Sequence, residues 1–127
     1  MKANELRIGN WVKHKGFADT QVESIHEAGI NSVYDLYTGF EYIEPIPLTE
    51  EWLVRLGFQK LRDNLFYMLL KNYYSASIAV KLWGGKWVVE LTVGSGLDVE
   101  GEDMAHIKYV HQLQNLHFAL TGNELTP

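Results

Sequence analysis

Hydrophobic and polar residues alternate most regularly in the segment 77–93, SIAVKLWGGKWVVELTV. Two alternating runs flank Gly84 and Gly85, which predicts a β-hairpin with a two-residue turn of type I′ or II′. Counting outward pairs Trp83 with Lys86 and Ile78 with Leu91. One face then carries Ile78, Val80, Leu82, Trp87, Val89 and Leu91, and the other carries Ser77, Lys81, Trp83, Lys86, Glu90 and Thr92. Because a shift by one residue would mix the two faces, the pattern predicts the register too.

A short helix is predicted in the segment 49–57, TEEWLVRLG. Thr49 suits the N-cap position, and the two glutamates that follow it suit the first turn, where the helix dipole favours negative charge. Gly57 is expected to end the helix. The apolar arc of this helix, which we expect to pack on a sheet, consists of Trp52, Leu53 and Leu56.

A longer helix is predicted over residues 106–120, HIKYVHQLQNLHFAL, with Thr121 and Gly122 as its C-terminal cap. Its apolar arc consists of Tyr109, Val110, Leu113, Leu116 and Leu120. Another face, with His111, Gln112, Gln114 and Asn115, carries almost no charge, although a solvated helix face normally carries Lys and Glu. Gln112, Asn115 and Phe118 are therefore candidate residues of a protein contact surface. Ordinary packing of this helix is the alternative reading.

The remaining segments favour strands. A strand is expected over residues 5–15, with a bulge at Gly9 and Asn10, and further strands within 20–29, 30–39, 58–62 and 65–71. Residues 94–103, GSGLDVEGED, are expected to form a loop. The sequence thus predicts a single domain, residues 1–127, of the α+β class. We expect a curved, mainly antiparallel sheet with one short helix and one longer C-terminal helix. The spacing of the N-terminal strands also allows an SH3-like half-barrel, a label that carries no function.

Composition restricts the function classes. The chain has 127 residues, no cysteine and a formal net charge of −5, so disulfides and thiolate chemistry are excluded and the average surface repels phosphate. Nucleic acid is therefore an unfavoured partner, although Trp11, Lys13 and Lys15 form a small basic cluster that could contact a nucleic-acid backbone. No apolar segment has the length of a membrane span or the pattern of a leader. We expect a cytoplasmic protein without a membrane partner.

Candidate catalytic and metal-binding residues do not form a recognisable constellation. His106, His111 and His117 are spaced by five and six residues, whereas two imidazoles on one helix meet at spacings of three or four. Ser95, in a lone Gly-Ser-Gly, more often marks a turn than a nucleophile. The prediction is therefore no metal, no cofactor and no enzymatic activity, and a small enzyme is the least favoured alternative.

Aromatic residues favour the remaining class, a protein-binding module. Trp83 lies on the polar face of the predicted hairpin beside Lys81 and Lys86, where its indole could contact a partner. A second layer covering this face is an equal alternative, which would make Trp83 a core residue. The preferred hypothesis is a non-enzymatic module that binds an unknown protein through Trp83, Gln112, Asn115 and Phe118. A second copy of the chain is a further candidate partner.

Three segments, ELRIGNWV at 5–12, IPLTEEWLVRLGF at 46–58 and YVHQLQNLHFALTG at 109–122, also carry a resemblance. Together they resemble the recurring blocks of a family of small uncharacterised proteins encoded in Bacteroidetes genomes, often in phage or other mobile regions. The family has no assigned activity, so the resemblance implies no catalytic or binding residue. It implies a bacterial or phage cytoplasmic protein with an accessory role.

Overall fold

The structure is a computed structural model that describes residues 1–33, 37–70, 76–93 and 100–127. The fold is α+β, with antiparallel sheets, a short helix and a longer C-terminal helix, as the sequence predicts. The chain divides into two compact units, one formed by Met1–Pro47 with Tyr109–Leu116 and the other by Leu48–Lys108 with His117–Pro127. The single domain predicted for residues 1–127 stays a prediction.

The first unit contains a five-stranded antiparallel sheet with the order β4-β3-β2-β1-β5. Its strands are β1 Trp11–His14, β2 Asp19–Ile25, β3 Gly29–Ser32, β4 Tyr37–Gly39 and β5 Ile43–Glu44, and two short 3₁₀ helices span Ala3–Glu5 and Phe40–Tyr42. The core of this unit consists of Leu6, Val12, Val22, Ile30 and Ile43. Strands β1 to β4 form a meander, and β5 pairs with β1 on its other side.

The strand predicted from residue 5 is wrong in its first half, because β1 begins only at Trp11. The side chain of Asn10 accepts a hydrogen bond from the backbone N–H of Arg7 at 2.7 Å, and Gly9 has a positive φ of 96°. These features form a local turn, which asparagine and glycine favour over an extended strand. Ile8, an apolar residue within the predicted strand, is consequently 61% exposed.

The second unit contains a five-stranded antiparallel sheet with the order β10-β9-β8-β7-β6. Its elements are α1 Glu50–Arg55, β6 Gln59–Arg62, β7 Leu65–Leu69, β8 Ala76–Trp83, β9 Lys86–Val93 and β10 Glu100–Asp103. One face of this sheet is buried, and its fully enclosed side chains are Phe66, Ile78, Val80 and Val89. We call this the inner face and the opposite one the outer face.

The central hairpin is confirmed in detail. Strands β8 and β9 pair Trp83 with Lys86 and Ile78 with Leu91, in the predicted register. Gly84 and Gly85 have φ values of 58° and 77°, the two consecutive positive values that define a type I′ turn. The register therefore follows from the turn and from the alternation of side chains.

The short helix is also confirmed. The Thr49 hydroxyl accepts a hydrogen bond from the backbone N–H of Trp52 at 3.2 Å, and Gly57 follows the helix with a positive φ of 92°. The predicted apolar arc is buried and consists of Trp52, Leu53 and Leu56. Local signals are sufficient here because both ends of the helix carry the residues that satisfy its free backbone groups.

The loop predicted over residues 94–103 is wrong for its last part. Glu100–Asp103 forms β10, which pairs antiparallel with β9 from Glu100 opposite Val93 to Asp103 opposite Glu90. Pairing with β9 supplies backbone hydrogen bonds that stabilise this strand, although its polar residue types do not indicate a strand. Residues 94–99 lie outside the described part of the chain.

The C-terminal helix, α2 Val110–Thr121, begins later than the predicted residue 106. Before it, Ile107 N–H donates to Met104 C=O at 3.0 Å and Val110 N–H donates to Ile46 C=O at 2.9 Å. The backbone N–H groups of Ile107 and Val110 therefore donate to a turn and to a distant segment, and not to carbonyl groups four residues earlier in a helix. Gly122, with a positive φ of 73°, ends the helix as predicted.

Candidate protein-binding site

The uncharged face of α2 is largely structural in the first unit. His111 and Gln114, expected on a polar face, are 4% and 0% exposed. The Gln114 side chain accepts a hydrogen bond from Trp11 N–H at 2.8 Å and donates one to Gly9 C=O at 3.2 Å. The amide thus makes the two hydrogen bonds that a neighbouring strand would otherwise make with this backbone. This role explains why a buried position carries glutamine.

Two of the predicted contact residues also make internal hydrogen bonds in this unit. Asn115 accepts from the Asn10 amide at 2.8 Å and donates to Glu5 C=O at 3.3 Å. Gln112 accepts from Tyr109 N–H at 3.1 Å, as the third helical residue does in a capping box. Because these amides stabilise the position and the first turn of α2, their role in binding a partner stays a prediction. Phe118, at the other end of the set, is 36% exposed.

His111 lies within the same unit and stacks on Tyr109, with ring centroids 6.0 Å apart and planes 11° apart. Burial lowers the pKa of His111 below its ordinary value, an effect that the Glu5 carboxylate opposes. Within the described residues, its Nδ1 atom has no hydrogen-bond partner. His111 is therefore a buried histidine held in its neutral form.

Trp83, the fourth predicted contact residue, is 74% exposed. This decides the alternative that the sequence left open: Trp83 is a surface residue of the second unit. Cross-strand pairing places Arg62, Leu65, Lys81 and Val88 in one row of the outer face, and Trp83 and Lys86 in the next row towards the hairpin turn. We call these six residues the hairpin-end patch.

The charge of the hairpin-end patch is confined to one end of the sheet. Arg62, Lys81 and Lys86 lie within it, and Lys81 forms a salt bridge of 3.3 Å with Glu90. Glu90 and its cross-strand partner Asp103 belong to a neighbouring row of the outer face. An anionic ligand is therefore attracted at the hairpin end and repelled beyond Lys81.

The edge of β9 beside this patch is open. The pairing of β10 with β9 ends at Glu90, and the next backbone contact is Met104 N–H to Val89 C=O at 2.8 Å. Backbone groups point to alternate sides along an antiparallel strand, so the N–H and C=O of Trp87 point to the same side as those of Val89. In the described part of the chain, no strand pairs with β9 on this side between Lys86 and Val88.

A cavity of about 550 Å³ adjoins this open edge. Its lining includes the apolar residues Trp87, Val88, Met104 and Ile107, the cations Lys86 and Lys108, and one carboxylate, Asp103. The Trp87 ring packs edge-on against Phe66, with centroids 5.8 Å apart, which fixes that wall. The sequence pattern gives little indication of this cavity, because residues 94–103 have the composition of a single loop. The only available signal was the pair of apolar residues, Met104 and Ile107, that follows the acidic segment.

The small basic cluster predicted as an alternative site lies on β1 and just beyond it. Lys13 pairs across the sheet with Asp19 on one side and with Glu44 on the other, and Lys15 lies 3.8 Å from Glu44. Trp11 is half-buried. Neighbouring carboxylates therefore offset the positive charge of this cluster.

The described residues contain no group of three or more His, Asp or Glu side chains arranged to hold a metal ion. Nor does this part of the chain include a helix with the length and apolarity needed to cross a membrane. No protein-family model, curated protein or solved structure matches this chain. The resemblance to the Bacteroidetes family and the SH3-like label therefore stay predictions.

Proposed function

We propose that the protein is a non-enzymatic binding module that takes up an extended, acidic segment of a partner protein as an added strand on β9. The observation that carries this proposal is the open backbone edge at Trp87 beside an apolar cavity. Strand addition uses these two features together: backbone hydrogen bonds supply affinity, and a pocket for alternate side chains supplies specificity.

The charges at the site support an acidic segment with an apolar anchor. Lys86 and Lys108 lie at the cavity, and Trp83 with Arg62 extends the surface along the outer face. Among the described residues, Lys86 and Arg62 make no ion pair. An apolar centre with tryptophan and arginine at its border is the composition of a protein interface.

A nucleic acid fits this surface less well. A strand that continues along the outer face from the hairpin-end patch would meet Glu90 and Asp103, and the protein carries a net charge of −5. A phosphate backbone needs cations at regular intervals along its path. A short peptide needs them only at one end.

The context of this function rests on the resemblance described above. It supports an accessory role for the protein in a phage or other mobile element of Bacteroidetes, and a cytoplasmic location. The predicted contact residues Gln112, Asn115 and Phe118, which lie on α2, are not part of this proposed site.

Selection from a random peptide display library tests the proposal. We expect the selected peptides to combine an apolar residue with Asp or Glu, and to lose at least about 10-fold in affinity on the Lys86→Glu variant, since the substitution reverses the charge at the cavity. Lys13→Glu, an exposed change at a strand in the other unit, is the matched control and should bind normally. Hydrogen exchange should show the Trp87 N–H newly protected in the complex, which side-chain binding alone would not produce.

Two results would reject the proposal. Strand addition at this edge is excluded if the selected peptides bind the Lys86→Glu variant as tightly as the wild type. It is also excluded if they leave the hydrogen exchange of the Trp87 N–H unchanged. Single-stranded oligonucleotides that bind in place of peptides, with an affinity that falls steeply as salt rises, would assign the surface to nucleic acid.

A further inference from the structure

A second cavity, of about 600 Å³, lies in the second unit at the C-terminal end of α2. Its walls come from β7, from the last turn of α2 and from the segment that follows it, and they include Met68, Leu69, His117, Glu124 and Leu125. The cavity is lined by none of the residues of the proposed peptide site. Its volume is in the range of pockets that hold small organic molecules.

The hydrogen bonds of His117 define what this residue can offer a ligand. Its Nδ1 lies 3.0 Å from the carbonyl oxygen of Asn123, so Nδ1 carries the proton and donates. In the neutral ring, Nε2 is then an acceptor. Thr121 supports this arrangement, because its hydroxyl donates to His117 C=O at 2.8 Å and accepts from Asn123 N–H at 3.1 Å.

The electrostatics of the cavity favour a cation. The C-terminal end of a helix carries partial negative charge on its last carbonyl groups, and α2 ends at Thr121, a lining residue. Glu124 adds a carboxylate, and the described lining includes no Lys or Arg.

The opposite wall suits an apolar group. Met68 and Leu125 supply aliphatic surface, and Leu125 is 5% exposed. The Tyr67 ring also lines the cavity, and its hydroxyl donates to the Gln59 side chain at 2.8 Å. This hydrogen bond restrains the ring, which adds aromatic surface to the lining.

We infer that this cavity binds an organic ammonium ion with a short apolar body. The ammonium group faces His117, Glu124 and the end of α2, and the apolar body packs on Met68 and Leu125. This site is independent of the proposed peptide site, and either can exist without the other.

Three probes of similar shape and different charge test the inference: 2-phenylethylammonium, 2-phenylethanol and 3-phenylpropionate. The measurement is the titration of methyl resonances of Met68 and Leu125 by NMR at neutral pH. We expect the ammonium probe to shift these methyl groups and to bind at least about 5-fold more tightly than the alcohol, with a dissociation constant in the millimolar range. The carboxylate should produce no shift.

Two variants distinguish binding of the ammonium probe in this cavity from general attraction of a cation to an acidic protein. Glu124→Gln should weaken the ammonium probe about 2- to 5-fold by removing one local charge. Glu41→Gln, an exposed change in the first unit, should leave the affinity unchanged. Equal binding of the three probes, equal effects of the two variants, or no shift at about 10 mM ammonium probe would each overturn the inference.

Discussion

At the scale of single residues, Gln114 and His111 show how α2 is fixed in the first unit by polar side chains. Both face inward from a helix whose sequence suggests a polar surface. Gln114 accepts from the backbone N–H of Trp11 and donates to the backbone C=O of Gly9, which also accepts from the Gln21 side chain. Buried backbone groups cost more to leave unpaired than a hydrogen bond normally contributes.

Gln114→Leu should therefore destabilise the protein strongly although it conserves size and increases apolarity. We expect a loss of at least about 2 kcal/mol in the free energy of unfolding, because Trp11 N–H and Gly9 C=O lose the amide. Urea denaturation measures this. Gln59→Leu, at an exposed amide bonded to Tyr67, is the comparison and should change stability by less than about 0.5 kcal/mol. A similar small effect of Gln114→Leu would mean that the two backbone groups find other partners.

His111 makes stability depend on pH. Burial holds its pKa in the folded protein below the ordinary value of 6.5, so below pH 6.5 the unfolded chain binds a proton that the folded protein does not. Its contribution to stability is present above pH 6.5 and is lost as the pH falls towards the lowered folded pKa. The His111→Phe variant, which cannot titrate, should lose less stability than the wild type when the pH is lowered from 7 to 5. Parallel profiles of His111→Phe and wild type would contradict this assignment.

At the scale of elements, the hairpin is defined by its turn. Gly84 and Gly85 have the positive φ values of a type I′ turn, and a Cβ atom at either position would meet open space. Steric contacts therefore do not require glycine at these positions. Only the positive φ favours glycine here. The change in the free energy of unfolding on substitution therefore depends on how well the new residue tolerates a positive φ.

Two substitutions at Gly84 separate conformation from contact. Gly84→Asn should be neutral or slightly stabilising, because asparagine tolerates this conformation and Asn-Gly is the preferred type I′ pair. Gly84→Val should lower the free energy of unfolding by roughly 1–2 kcal/mol, since a β-branched residue disfavours positive φ. Thermal denaturation of the pair measures the difference. Equal stability of the two variants would show that the turn adopts another type.

At the scale of the molecule, charge and edge exposure act together. A net charge of −5 coexists with a local cationic end of the second sheet, formed by Arg62, Lys81 and Lys86. An open strand edge commonly carries such charges, which oppose uncontrolled pairing with other chains. The same charges can select one acidic partner segment, which is why the proposed function uses both features.

The amino-acid sequence by itself determined the elements whose signals are local. The register of β8 and β9 and both ends of α1 follow from residues within a few positions of each other. Hydrophobic alternation over the hairpin also placed Trp83 on the polar face, where it is exposed. These features need no distant partner to specify them.

Tertiary structure alone decided the features that depend on distant residues. Strand β10 exists because β9 offers it a backbone edge. Gln114 is buried because Trp11 at the start of β1 offers it a donor and Gly9, just before β1, offers it an acceptor. The open edge at Trp87 and its cavity arise where β10 ends, a position that no local pattern marks. Hydrogen bonding between distant backbone segments has no signature in the order of residue types, and it decided where β9 keeps an open edge beside a cavity.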